Sequence, residues 1–233
     1  MTAQAQKGKK NGGTKKGTKK GKKKGKGSAK NRKKDASRPL TAKIVGTTPR
    51  VYRINRFASK KEVKHIAALA DDAEFRERHG VETHRDAVTG FSFEMPIAGD
   101  TVLEAIRARM EQLLGFPNDV PDTFRFRRYA PGESHPLHND SYVIGGSTLV
   151  ASALLNLNTT DEGGETSFPS ALPEPVTVAP KRGRLVVWFN HTPDGAVDPL
   201  AVHEALPVTE GSKATIAYFF YTSLENAARN IGE

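Results

Sequence analysis

The chain has no cysteine. That absence removes a disulfide framework, thiol catalysis and the cysteine-rich ligand sets of structural zinc sites, and it fits a reducing compartment. No stretch approaches the ~20 consecutive apolar residues of a membrane-spanning helix. The N-terminus lacks the apolar core of a signal peptide, so the expected location is cytoplasmic or nuclear. Tryptophan occurs once. Acidic residues are nearly missing from one region. Residues 1–38 carry 14 Lys and 2 Arg against a single acid, Asp35, so the rest of the chain nets −5 although the whole is +10. Met1 and a few alanines are the only apolar residues of that segment, which cannot offset its ordering entropy and is expected to be disordered. Its lysines are interleaved with glycine, and no aromatic is present for base stacking. Any attachment to nucleic acid or an anionic surface would be phosphate-driven, non-specific and weakened by salt. The plainer alternative is a solubilising tail.

Residues 39–233 suffice for one single-core domain and are short for two. Val51-Tyr52-Arg53-Ile54 alternates like a strand. Ser59 is a good N-cap, Glu62 completes a capping box, and Val63, Ile66, Ala67 and Ala70 give the helix that follows an apolar stripe. A second helix is expected from Asp100 to Leu114, with Val102, Leu103, Ile106, Met110, Leu113 and Leu114 on its inner face and Gly115 as its stop. Beyond Thr123 the pattern turns to strands, at Phe124–Tyr129, Leu149–Asn158, Arg184–Asn190 and Ala214–Thr222, separated by Pro and Gly clusters. Helices first and strands later indicate an α+β domain with a C-terminal β-sandwich or small barrel. Trp188 and Phe189 read as core positions in a strand.

The chemistry-bearing residues are His138, Asp140 and, 65 residues downstream, His203. In extended backbone, residues two apart point to the same side, so His138 and Asp140 can share one metal while Asn139 turns away. Two imidazoles and one carboxylate on one face of a metal leave three positions open, the ligand set of non-heme Fe(II) oxygenases. Taken alone, an H-x-D triplet with a distant histidine also arises without any metal. Lys213 lies ten residues after His203, where a cation facing inward suits a cosubstrate carboxylate; the alternative is a solvated lysine in the turn Glu210-Gly211-Ser212-Lys213. Tyr129 could add a hydroxyl, and its strand parity places it opposite Phe124 and Phe126. Ser152 and Thr215 are weaker hydroxyl candidates.

In order along the chain, Arg128-Tyr129-Ala130-Pro131-Gly132-Glu133, His138-Asn139-Asp140, Leu155-Asn156-Leu157-Asn158 and Glu162-Gly163-Gly164-Glu165-Thr166-Ser167-Phe168-Pro169 resemble the prolyl 4-hydroxylase family of 2-oxoglutarate/Fe(II) dioxygenases. So do Pro180-Lys181-Arg182-Gly183, Phe189-Asn190, Pro193-Asp194-Gly195, Asp198-Pro199-Leu200 with His203, Pro207-Val208 and Gly211-Ser212-Lys213. Upstream, Pro49-Arg50-Val51-Tyr52 and Phe57-Ala58-Ser59 resemble the start of the same catalytic domain, so the likeness runs over residues 49–222.

The resemblance implies a double-stranded β-helix (jelly roll) with supporting helices. It implies Fe(II) on His138, Asp140 and His203, and 2-oxoglutarate with its distal carboxylate on Lys213, assisted by Tyr129. O₂ would be the second cosubstrate, succinate and CO₂ the co-products, ascorbate the reductant, and a prolyl residue of a protein or peptide the substrate. A carboxylate at position 140 leaves no site for a halide, which disfavours halogenation. Glu162-Gly163-Gly164-Glu165-Thr166 reads as a structural turn. Three positions depart from the family pattern: Leu149 where a basic residue is frequent, Ala214 where an aromatic is frequent, and His135 in place of a second tyrosine. They leave two alternatives open, the same chemistry on a free amino acid, small metabolite or nucleobase, and a weakly active fold carried by a basic nucleic-acid-binding tail.

Overall fold

Ser59 caps its helix as its residue type predicts. Its hydroxyl accepts from the Glu62 amide, and the Glu62 carboxylate accepts from the Ser59 amide at 2.7 Å. Gly115 ends the later helix in the left-handed region, at φ 78°, where a residue without Cβ meets no steric penalty. The computed structural model describes residues 40–115, 118–120 and 122–223. The segment 1–38, expected to be disordered, lies outside the described residues.

Within them the chain runs β1 (Ala42–Thr47), β2 (Arg50–Ile54), α1 (Lys60–Asp71), α2 (Ala73–Arg78), β3 (Thr83–Asp86), β4 (Gly90–Pro96), α3 (Thr101–Leu114) and β5 (Thr123–Tyr129). It continues with β6 (His135–His138), β7 (Val143–Ile144), β8 (Ser147–Asn156), β9 (Glu162–Gly163), β10 (Thr166–Phe168) and β11 (Val176–Val178). The last strands are β12 (Leu185–Phe189), β13 (His203–Ala205), β14 (Val208–Glu210) and β15 (Lys213–Thr222).

One large antiparallel sheet has the order β1-β2-β12-β8-β15-β5-β4-β3, with β7 added on β8, and a smaller one has the order β11-β10-β13-β6. This is a jelly roll, mostly antiparallel, with few helices. It departs from the helices-then-strands reading in one respect. β1 and β2 extend the large sheet through β12, and the hairpin β3–β4 extends it through β5, so the N-terminal part supplies four strands of its own. Of these, β2 is the strand read at Val51–Ile54, while β1, β3 and β4 lie outside the expected strands; they are short and interleaved with helices.

The helices cover one face of the large sheet. Val63, Ile66 and Ala70 of α1 and Leu103, Ile106 and Met110 of α3 join Phe93, Phe124, Phe126, Val150, Ala153, Leu155, Ile216, Tyr218 and Phe220 in one buried cluster. Full burial of each large apolar side chain there contributes about 1.5–3 kcal/mol. Leu113, expected on the inner face of α3, is instead 38% exposed, in the last turn of the helix. The opposite face of the same strands looks toward the small sheet. There Val51, Phe168, Val176, Val178, Val186 and Trp188 form a second cluster, and a cavity opens beside it.

Candidate active site

In β6 and β13 the register places His203 directly opposite His138. Directly paired positions in an antiparallel ladder present their side chains on one face, close together. Two residues past His138, Asp140 turns in between. Its carboxylate oxygens lie 3.5 Å from His138 Nε2 and 3.6 Å from His203 Nε2. One ligand atom from each residue falls within 4.8 Å of the others. Asn139 points away, as its parity predicts, and donates from Nδ2 to the Asp198 carbonyl at 3.1 Å.

Contacts outside the triad fix which nitrogen is available. The Nδ1–H of His138 donates to the Pro136 carbonyl at 2.8 Å, and the Nδ1–H of His203 donates to the Ala201 carbonyl at 3.0 Å. Both imidazoles are thereby held in the tautomer that leaves the Nε2 lone pair facing Asp140. The third group has its own support. Ser152 donates its hydroxyl to Asp140 Oδ2 at 2.7 Å, and Asn190 Nδ2 donates to Ser152 Oγ at 3.2 Å. Ser152, a candidate for contacting a cosubstrate, therefore orients the carboxylate instead; its sequence parity does not reveal that Asp140 lies across the barrel from it. Trp188 and Phe168 pack on His203, with ring centres at 4.6 and 5.6 Å. Trp188 thus belongs to the core, as its strand context implies, and also lines the cavity.

Without a metal, Asp140 is held as a carboxylate while the two imidazoles are pushed in opposite directions. Burial pushes the Asp140 carboxyl up, but the neighbouring His138 and His203 imidazoles and the Ser152 hydroxyl outweigh it and hold it below the usual carboxylate range. Burial holds His203 below its ordinary value against the opposing pull of Asp140. His138 is raised, because Asp140 and the Pro136 carbonyl overcome its desolvation. His135, whose ring lies 4.2 Å from that of His138, is lowered to about 4 by burial, then by the like charges of His138 and Arg127.

On the cavity wall, Lys213 opens β15 opposite Tyr129 in β5. It is 1% exposed, so the solvated-turn alternative does not hold. Its ammonium sits 5.3 Å from the centre of the Tyr129 ring, and burial lowers its pKa to about 8, with Glu165 opposing. No described carboxylate comes within 4.0 Å of that ammonium. A buried, unpaired cation is costly unless an anion joins it. Burial raises the Tyr129 phenol to about 12, with the nearby Arg127 charge opposing. Thr215 is buried and lines the same wall.

The turn before β10 makes room for Lys213. Gly163 and Gly164 have φ of 76° and 71°; a Cβ on Gly163 would meet the Pro207 carbonyl oxygen at 2.3 Å, and one on Gly164 would lie 3.3 Å from Lys213 Cδ. The reading of this turn as structural holds, and its structural task is to seat the lysine stem. A further anchor escapes the motif reading. Glu133 is buried, accepts from the Ala130 amide at 2.7 Å and pairs with Arg85, which fixes the loop leading from Tyr129 to His138. Its signal in the sequence is a lone acid inside a Pro-Gly turn.

The triad, Tyr129, Lys213 and Thr215 all line one cavity of about 450 Å³. Two imidazole Nε2 atoms and one carboxylate suit Fe(II) in a site that keeps positions for exogenous ligands. A buried ammonium in the same cavity suits the second carboxylate of a dicarboxylate that reaches the metal with its first.

Comparison with known proteins agrees. The family model of the 2OG-Fe(II) oxygenase superfamily matches residues 124–221. The chain is 24% identical over 204 residues to prolyl 4-hydroxylase 5 of Arabidopsis thaliana, covering 76% of this chain and 70% of that protein. Among solved structures, the fold matches that of the viral collagen prolyl hydroxylase of Paramecium bursaria chlorella virus-1, a 2OG complex, with a TM-score of 0.60 at 19% identity, covering 74% of this chain and 96% of the other. It also matches a Trichoplax adhaerens prolyl hydroxylase in complex with a hypoxia inducible factor peptide fragment, with a TM-score of 0.55 at 15% identity, covering 78% and 87%. The matched segment spans both histidines, the aspartate and the buried lysine in one fold, and with the prolyl 4-hydroxylase relatives it marks the chain as a 2-oxoglutarate- and Fe(II)-dependent dioxygenase.

Proposed function

We propose that this dioxygenase hydroxylates a prolyl residue of a protein or peptide. The observation that carries the reading is the joint occupancy of one cavity by the His138–Asp140–His203 cluster and an unpaired, buried Lys213. His138, Asp140 and His203 hold Fe(II). Lys213 takes the distal carboxylate of 2-oxoglutarate, and the Tyr129 hydroxyl assists. Iron with 2-oxoglutarate and O₂ supplies an oxidant for a substrate C–H bond, releasing succinate and CO₂. The protein's share is positional. The Pro136 and Ala201 carbonyls hold the imidazoles, Ser152 holds the carboxylate, and Leu149, Leu154 and Trp188 keep the cavity wall apolar, which limits water at the reacting centre. Ascorbate is the proposed reductant for oxidised iron.

A peptide substrate is supported by the cavity mouth and by the prolyl 4-hydroxylase relatives. Tyr142, Val143 and Ile144 line the cavity while remaining 56%, 68% and 48% exposed. An apolar lip of that kind suits an extended ligand that crosses the mouth. Purified protein with Fe(II), 2-oxoglutarate and a proline-rich peptide is expected to release succinate and a product 16 Da heavier than the peptide. Full turnover by an H138A/D140A protein would overturn the assignment.

A further inference from the structure

β5 and β15 form the cavity wall, and their register sets its order. Tyr129 pairs with Lys213, Arg127 with Thr215, and Arg125 with Ala217. All six line the cavity. The wall therefore carries three cations: Arg125 and Arg127 two residues, roughly 6.8 Å, apart on β5, and Lys213 on the neighbouring β15, diagonal to Arg127. They differ in their partners. Lys213 is the buried one, assigned above to the cosubstrate. Arg125 is ion-paired with Glu94. Arg127 donates to the Thr89 carbonyl at 3.3 Å and lies 6.0 Å from the centre of the Tyr129 ring, and Asp86 acts on it only at longer range. No described carboxylate lies within 4.0 Å of its guanidinium.

A dianionic cosubstrate engages the metal with one carboxylate and Lys213 with the other, and so leaves Arg127 without a close ion-pair partner. Arginine offers a planar fork of donors matched to a carboxylate. Arg127 is half-buried in a partly enclosed cavity, where such a pair is screened less than on an open surface. Glu204 lines the cavity from β13 in the small sheet, so the positive cluster belongs to one wall only.

We infer that Arg127 is a specificity-determining residue that selects a substrate bearing a carboxylate beside the carbon to be oxidised. This rests on the dioxygenase site described above. The carboxylate comes either from an acidic side chain flanking the target in a peptide or from the α-carboxylate of a free amino acid. Arg127 touches substrate and takes no part in metal binding.

The test uses matched ligand pairs that differ only in charge. The blocked peptides acetyl-Gly-Glu-Pro-Gly-amide and acetyl-Gly-Gln-Pro-Gly-amide present or lack a side-chain carboxylate; free proline and prolinamide present or lack the α-carboxylate. Trp188 is the sole tryptophan and lines the cavity, so its fluorescence reports occupancy in protein loaded with Mn(II) and 2-oxoglutarate, apart from any turnover. The acidic member of one pair is expected to bind roughly tenfold or more tightly than its neutral partner, as a charge-assisted bond predicts. Which pair discriminates identifies the source of the carboxylate. In R127Q the ratio is expected to fall to near one while the KM for 2-oxoglutarate stays within about twofold, and R127E is expected to favour a Lys-flanked peptide.

Three results would overturn the inference: no discrimination in either pair, discrimination that survives R127Q, or an R127Q effect confined to the KM for 2-oxoglutarate. The first of these can occur with normal prolyl turnover, and carboxylate discrimination can occur without it, so the two readings fail separately.

Discussion

The two faces of the large sheet do different work with the same strands. On β15, Ile216, Tyr218 and Phe220 enter the apolar cluster beneath α1 and α3, whereas Lys213, Thr215, Ala217, Phe219 and Tyr221 line the cavity. On β5, Phe124 and Phe126 take the first role and Arg125, Arg127 and Tyr129 the second. Strand parity thus separates stability from chemistry by a single residue step. The core face can hold the fold while the cavity face carries groups that oppose folding, such as a buried lysine.

That division can be broken from either side. The largest effect is expected at Asp140. Asp140→Ala should remove iron-dependent turnover by more than about 100-fold, since even the partners of metal ligands are worth ~10–100-fold; succinate release with purified protein checks it. On the other face, Phe126→Ala should cost about 3–5 kcal/mol in urea unfolding, the range for a deleted core aromatic. The KM for 2-oxoglutarate of the molecules that remain folded should be unchanged, and a large change would show that the two faces are coupled.

Lys213→Met cuts across the division. It should raise the KM for 2-oxoglutarate about 30-fold or more, from a loss of at least ~2 kcal/mol, yet raise the melting temperature of ligand-free protein by removing an unpaired buried charge. The pH dependence makes the same point with the native chain. The folded pKa of Lys213 is lowered to about 8 from 10.5, so between those values the unfolded state binds more protons. Ligand-free stability should therefore rise across that window, by on the order of 1–3 kcal/mol, while affinity for 2-oxoglutarate falls as the ammonium deprotonates. Paired melting and binding curves from pH 7 to 10.5 would show whether the opposition exists. The smallest effect is expected from Ser59→Ala, which removes a helix cap far from the cavity and should cost about 1 kcal/mol with turnover unaltered.

Most of this division is legible in the sequence because it depends on local rules. The capping box at Ser59 and Glu62, the glycine stop at Gly115, and the parity of Phe124, Phe126 and Tyr129 all act within a few residues. The His138–Asp140 pair is equally local, and the ordered motifs supply His203 and Lys213. What stays hidden depends on register between distant strands. Ser152 is a hydroxyl in an apolar strand until the fold sets it against Asp140. The cation cluster Arg125, Arg127 and Lys213 cannot be seen before β5 and β15 are aligned. Leu113 shows the opposite failure, an apolar residue at helical spacing that the fold leaves exposed.

The cross-strand rung between His203 and His138 has a structural consequence beyond catalysis. The small sheet is built from strands of three or four residues, too short to gain much from their own ladders. A metal joined to both histidines and to Asp140 would rivet the two segments that form one end of that sheet. Iron loss would then loosen the small sheet before the helix-backed one, and amide exchange in β6 and β13 would register the metal content of the enzyme as mechanical tension in the barrel wall.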